Sequence, residues 1–374
     1  VGQWYRPWYY PKSGEDIHQA VNRECLAVRT SLGMMDASTL GKIDVQGKDS
    51  REFLSRVYTN AWMKLAPGSC RYGLMCNEKG MIIDDGVSTC INDNHFIMTT
   101  TTGGAASVYS ALEMWLQTEW SDLDVHLSSV TDQFATVAVV GPNARNLMKV
   151  LCHDIDFERD NFKFMQWRPG TVCGVQARVM RISFSGELAY EINIEANYGR
   201  YIWDEVALAG KPWNITPYGT ESMHVLRAEK GYIIVGQDTD GSMTPMDVNM
   251  KWILAKDKPF SYIGRRSFSI SALNSDDRFQ LVGLLTKDAH VVLPEGSHII
   301  NNKGGSIGYV TSSYFSPILR RSIAMAQLKG GLSKMTEIVL VKIVQEKQGL
   351  KEIPCEVSSS VFYDIEGEKV DGNE

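Results

Sequence analysis

The chain has 374 residues, too many for one ordinary domain, so two or three are expected. It is 44% hydrophobic and 22% charged, a globular composition that permits a full core. The net charge of −6 argues against a nucleic-acid binder, yet a local basic spot could still hold a small anion.

From the N-terminus, Trp4 to Lys12 is aromatic and polar and lacks the apolar stretch of a signal peptide. The helical spacing of Ile17, Val21, Cys25 and Val28 predicts a helix over Asp16 to Leu32. A short strand is expected over Lys42 to Val45 and a helix over Ser50 to Val57. Tyr72 to Met75 and Met81 to Ser88 read as strands around a turn at Asn77 to Gly80, followed by a strand over His95 to Thr99. Gly104 to Gln117 reads as a helix. Phe134 to Val140 is an apolar strand stopped by Gly141 and Pro142, and Asn143 to Leu151 resumes as a helix. Ala177 to Ser183 and Tyr190 to Ile194 form a second strand pair, with helices over Gly199 to Leu208 and Thr220 to Lys230.

After about Ser275 the pattern becomes short and β-rich: Phe279 to Leu285, His298 to Ile300, Ser306 to Thr311, Ser322 to Leu328 and Glu337 to Val344. This implies an α+β class chain of two parts, 1–275 and 276–374, the second a closed or sandwich β domain.

Seven scattered cysteines without a CxxC pair read as reduced thiols of an intracellular, cytoplasmic protein, and no apolar run reaches the roughly 18 residues of a membrane helix. The seven histidines show no metal-ligand spacing, so no metal is expected. A chain that opens on Val1 is expected to be a fragment or processed piece.

Four stretches could carry chemistry. Asp84 and Asp85 end an apolar strand before Gly86. Successive strand residues point to opposite faces, so one carboxylate can face a pocket and handle an amine proton while the other meets solvent or a backbone donor. The same residues also suit a plain turn. Glu187 follows Gly186 between two strands. It could accept two parallel N–H bonds from an amidine-like edge, or be a solvated hairpin acid. Arg227, in Leu226-Arg227-Ala228-Glu229-Lys230-Gly231, could hold a carboxylate or cap its helix. Thr99 to Gly104 opens a helix and could bind an anion or serve as an N-cap; it has neither Walker nor dinucleotide spacing.

Taken together and in order, these stretches resemble the glycine-cleavage T-protein, or aminomethyltransferase, family. The resemblance runs through Ala27-Val28-Arg29, Gly33-Met34-Met35-Asp36-Ala37-Ser38, Arg71-Tyr72-Gly73-Leu74-Met75, Gly80 to Asp85 and Gly186-Glu187 with Tyr190-Glu191. It continues through Leu226 to Gly231, Thr244-Pro245 and Gly308 to Ser312. Thr99 to Gly104, Trp115 to Trp120 and Val361 to Gly367 are further similar to the family members fused into sarcosine oxidase alpha subunits.

The resemblance implies folate-binding α/β domains followed by a C-terminal β-barrel, and tetrahydrofolate as the one-carbon acceptor. It assigns Asp85 to the folate amine, with Asp84 as the alternative. It gives Glu187 the pterin N–H edge, Tyr72 the wall of the folate pocket and Arg227 the folate site. Sarcosine oxidation elsewhere in such a complex would yield an imine, captured as 5,10-methylenetetrahydrofolate with release of glycine. FAD, FMN and NAD would belong to other parts of the assembly. Its partners would be beta, gamma and delta subunits and an N-terminal dinucleotide-binding half. A free-standing aminomethyltransferase and a folate-binding domain without chemistry are the alternatives.

Overall fold

The computed structural model describes residues 1–345 and 349–372. Helix α1 (Ile17–Thr30) starts at a capping box. The Asp16 side chain accepts the Gln19 N–H, and the Gln19 side chain accepts the Asp16 N–H. Then come β1 (Gly33–Asp36), β2 (Gly41–Gln46), α2 (Ser50–Val57), β3 (Cys70–Cys76), β4 (Ile82–Asn92), β5 (His95–Thr100) and α3 (Ala105–Thr118). The chain continues through β6 (His126–Ser129), β7 (Phe134–Val140), α4 (Ala144–Leu151), β8 (Gln166–Val172), β9 (Val175–Arg181) and β10 (Ala189–Glu195). Helix α5 (Gly199–Ala209), the two-residue β11 (Thr216–Pro217) and α6 (Thr220–Glu229) complete the first part.

Two sheets dominate that part. One has six strands in the order β11-β1-β7-β10-β9-β8, the other five in the order β3-β4-β5-β2-β6. Each sheet buries its outer face under helices. Val137, Val139, Tyr190 and Ile192 of the six-stranded sheet pack on Leu147, Leu151, Ile202 and Val206 of α4 and α5. Met75, Cys90, Phe96 and Met98 of the five-stranded sheet pack on Phe53, Leu54, Val108 and Leu112 of α2 and α3.

The inner faces look at each other, and the sheets meet along one edge. There Cys70, Trp167, Met180 and Ile182 form a small core, and Trp167 Nε1–H donates to Cys90 O at 2.8 Å. The strand period of two makes the outer face apolar and leaves the inner face free to carry polar groups.

The rest is a closed barrel of β12 (Phe279–Thr286), β13 (His298–Ile300), β14 (Ser306–Ser316), β15 (Arg321–Lys329), β16 (Ile338–Gln345) and β17 (Gly349–Ser358), in the order β12-β15-β14-β13-β16-β17. Pairing of β17 with β12 closes the ring and leaves no free edge. Ser306 to Thr311 was only the first half of its strand, which passes through a bulge between Val310 and Ser312 and runs on to Ser316. A buried Arg227–Asp238 pair fastens α6 to the barrel, with Arg227 Nη2 donating to Ser312 Oγ at 2.6 Å. No helix among the described residues is long and apolar enough to cross a membrane.

Candidate functional site

The Asp84–Asp85 doublet splits across its strand. Asp84 points outward into the entry of α3. Its Oδ1 accepts the N–H of Asp85 at 2.9 Å and of Thr101 at 3.3 Å, and it is 1% exposed. Its Oδ2 is buried without a partner, and burial raises its pKa to about 6. Asp85 points inward, half-buried, and its Oδ2 accepts the Tyr72 O–H at 2.7 Å. Burial lifts its carboxyl to about 7 against the opposing Tyr72 hydrogen bond, and the charge of Asp84 adds to the rise.

Strand register extends this inner face. Tyr72 is paired with Val87, whose N–H donates to Thr99 Oγ1 at 3.0 Å, and Thr99 is paired with Lys42. Lys42 is almost wholly buried. Its Nζ donates to Ser38 O at 2.9 Å and Leu40 O at 3.1 Å, and burial lowers its pKa to about 8.

The opposing face of the six-stranded sheet carries Glu191 on β10, flanked by Ala138 of β7 and Met180 of β9. Glu191 is half-buried, and no hydrogen bond to its carboxylate is found among the described residues. Burial raises its pKa to about 7, with Lys42 the one charge that opposes the rise. Glu191 also raises the pKa of the Cys70 thiol on β3, so it lies close to the five-stranded sheet. Thr89 Oγ1 meets Met180 Sδ at 3.7 Å, and Arg178 feels the charge of Asp44. The space between the sheets therefore holds Tyr72, Asp85 and Lys42 on one wall and Glu191 and Arg178 on the other. Tyr72, Asp85, Thr99, Arg178 and Glu191 all keep some surface open, unlike the buried outer faces of the same strands. Such an arrangement can grip a flat heterocycle by its N–H edge and exchange a proton with a second nitrogen.

Glu187 has a different environment. It is 2% exposed, and its Oε1 accepts from Arg29 Nη1 at 3.0 Å and from the Tyr363 O–H at 3.1 Å. Arg29 in turn donates to Glu229 Oε2 at 2.8 Å and to Ser185 O at 2.7 Å, and stacks 4.3 Å from the Tyr363 ring. Glu187 is thus one arm of a buried ion triad joining α1, α6 and the loop before β10. Arg227 is fully buried, paired with Asp238 and bonded to Tyr232 O at 3.0 Å. The structure brings Asp85 and Tyr72 together and engages Glu187 and Arg227 in packing networks.

Sequence reading named Glu191 within the family resemblance but gave it no role. Its signal was available: one acid in the middle of the apolar strand Ala-Tyr-Glu-Ile-Asn-Ile, where burial would otherwise exclude a charge. Among the described residues, no group of three or more His, Cys, Asp or Glu could hold a metal ion.

Comparison with known proteins adds two family matches, the GCVT N-terminal domain over residues 1–258 and the glycine cleavage T-protein C-terminal barrel domain over residues 280–364. Sarcosine oxidase subunit alpha of Corynebacterium sp. (strain U-96) is 49% identical over 380 residues, covering 100% of this chain and 39% of that protein. The same subunit of Rhizobium meliloti (strain 1021) is 39% identical, covering 99% of this chain and 38% of that protein. The chain thus spans about two fifths of the length of these relatives. An aminomethyltransferase of Thermotoga petrophila is 30% identical over 323 residues, 86% of this chain and 83% of that protein. The crystal structure of glycine cleavage system aminomethyltransferase T from Bartonella henselae shares the fold, with a TM-score of 0.83 at 23% identity over 96% of this chain and 92% of that one.

Proposed function

Since the chain belongs to the glycine cleavage T-protein family, we propose that it is a tetrahydrofolate-dependent one-carbon transfer module, acting within a sarcosine-oxidising assembly. In this reading it captures the imine left by sarcosine oxidation and releases 5,10-methylenetetrahydrofolate and glycine. The further subunits and a dinucleotide-binding half that would complete the assembly belong to the same proposal. The identity to sarcosine oxidase alpha subunits over the whole chain supports it.

The observation that carries the reading is the Glu191 carboxylate, unpartnered between two sheets and facing the wall that holds Asp85 and Tyr72. A buried acid without a partner is costly, and a ligand offering two parallel N–H donors removes that cost. The donor set therefore fits a reduced pterin, whose amidine-like edge supplies such donors. Tetrahydrofolate, when bound, supplies the nitrogens that accept the one-carbon unit.

The protein's own tasks are three. Glu191 orients the ring, in place of Glu187, whose carboxylate is held by Arg29 and Tyr363. Asp85 holds or takes one proton at the reacting amine, and the Tyr72 O–H fixes its carboxylate. The two sheets exclude water that would otherwise hydrolyse the imine to formaldehyde.

The test is Asp85→Ala in the intact oxidase. Sarcosine oxidation should continue while methylenetetrahydrofolate gives way to free formaldehyde; an unchanged folate product would defeat the role of Asp85. The second reading, a free-standing aminomethyltransferase, draws on the match to the Thermotoga petrophila protein over most of its length. It requires turnover by the chain alone with an aminomethyl donor.

A further inference from the structure

The ladder between β4 and β5 runs from the Asn92–His95 pair to the Ser88–Met98 pair and stops there. Past that point β4 still pairs with β3 on its other side, Val87 with Tyr72 and Asp85 with Leu74. Its amides on the β5 side are met by side chains instead. Val87 N–H donates to Thr99 Oγ1 at 3.0 Å, and Asp85 N–H donates to Asp84 Oδ1 at 2.9 Å. Asp85 is thus held in its strand by its own neighbour. A buried amide left without such an acceptor is costly.

Asp84 is built into its place. Its Oδ1 also accepts Thr101 N–H at 3.3 Å, from the loop between β5 and α3. Thr101 Oγ1 in turn accepts Gly104 N–H at 3.0 Å at the helix entry. Gly104 leaves the room, because a Cβ there would lie 2.4 Å from Asp84 Oδ2 and 2.7 Å from Thr101 Oγ1. The first turn of α3 carries no charged side chain. The anion that the Thr99 to Gly104 stretch could attract is therefore supplied from within, by the buried Asp84 carboxylate.

We infer that Asp84 is a positioning residue for Asp85: its carboxylate ties the Asp85 amide to the loop before α3 and keeps the Asp85 side chain turned to Tyr72 and the inner space. The inference rests on the reading above, in which Asp85 serves the reacting amine. Asp84 acts in two ways. It fixes the backbone, and its charge opposes the ionisation of Asp85 from behind the strand. Tyr72 on β3 donates to Asp85, and Tyr58 after α2 feels the charge of both acids.

Asp84→Ala and Asp84→Asn in the intact oxidase separate the two effects. Hydrogen exchange read by mass spectrometry reports the tie without folate. Peptides covering Asp85 and Thr101 should exchange about tenfold faster in Asp84→Ala, and Asp84→Asn, which keeps one acceptor oxygen, should restore most of the protection. Methylenetetrahydrofolate formation at saturating tetrahydrofolate should fall about tenfold in Asp84→Ala with KM for the folate little changed, because Glu191 orients the ring. Asp84→Asn should recover most of that rate. It should also move the pH midpoint of the reaction downward by roughly half to one unit, since a like charge is gone. Unchanged exchange in Asp84→Ala, or an unmoved midpoint in Asp84→Asn, overturns the positioning role and leaves the folate reading standing. Transfer abolished equally by both substitutions makes Asp84 the reacting acid and also overturns it. A wild type that neither binds tetrahydrofolate nor forms its methylene product sinks the folate reading, and the tie between the two acids is then decided by exchange alone.

Discussion

Asp84 and Asp85 are chemically identical and one bond apart in sequence, yet the pleat sends them to different surroundings. Asp84 meets backbone donors at a helix entry, and Asp85 meets a phenol beside the inner space. The Tyr72 O–H stabilises the ionised form of Asp85, so Tyr72→Phe should raise the Asp85 pKa further above about 7. The pH midpoint of methylenetetrahydrofolate formation should then move upward by roughly half to one unit, which a pH–rate profile would measure. The two glutamates separate in the same way. Glu191→Gln should weaken tetrahydrofolate about tenfold or more without lowering the melting temperature at neutral pH, because burial disfavours the glutamate's charge and no hydrogen bond to its carboxylate is found among the described residues. Glu187→Gln removes one counter-charge of the fully buried Arg29 and should cost about 1–3 kcal/mol of stability, measurable by denaturant titration. Sequence reading singled out Asp85 through the carboxylate doublet before Gly86 and Tyr72 through the family resemblance, and the structure places the two side chains in contact. The same reading gave the pterin edge to Glu187, next to a glycine, four residues before the acid proposed here for that role. Only the third dimension shows that Arg29, 158 positions away, already holds the Glu187 carboxylate.

At the scale of elements, the strands and helices that sequence reading found are those with unbroken periodicity. Phe134–Val140 is apolar except for Thr136, and Ser50–Val57 has one apolar face, so the boundaries expected for both coincide with the observed ones. The missed strands lack that signal. Gly33–Asp36 is too short to show a period. Gln166–Val172 contains Arg168, Pro169 and Gly170, which read as a loop until β9 pairs with it. Gly349–Ser358 is exposed over its first four residues and carries Pro354, so its pairing with β16 was not legible from composition. Between these elements, Gly86 shows how tightly the strand that bears Asp85 is held. A Cβ there would lie 1.9 Å from Thr99 O on the neighbouring strand. Gly86→Ala should therefore push β4 from β5 at the residue after Asp85. Expected are a loss of about 1–3 kcal/mol in stability and a drop in one-carbon transfer larger than the drop in folate affinity.

For the whole molecule, burying Asp84 at the entry of α3 and holding Asp85 and Glu191 between two sheets makes stability depend on pH in a defined direction. Their carboxyls are raised to about 6, about 7 and about 7, above the ordinary carboxylate range near 4. Between pH about 4 and about 7 the folded protein therefore holds more protons than the unfolded chain, and stability falls as pH rises through that window. His224 acts in the opposite sense, since burial lowers it to about 4 and the unfolded imidazole binds the extra proton up to about 6.5. Three acids outweigh one imidazole, so the melting temperature without ligand should decline from pH 5 to pH 7.5. The double variant Asp85→Asn with Glu191→Gln should flatten that decline. A pterin that donates two N–H bonds to Glu191 favours its ionised form, so tetrahydrofolate should bind more tightly as pH rises through about 7 and restore stability where the free protein is losing it. Calorimetric affinities at pH 6 and pH 8 decide the point: equal affinities would mean that Glu191 does not meet the ligand, whatever the fate of Asp85.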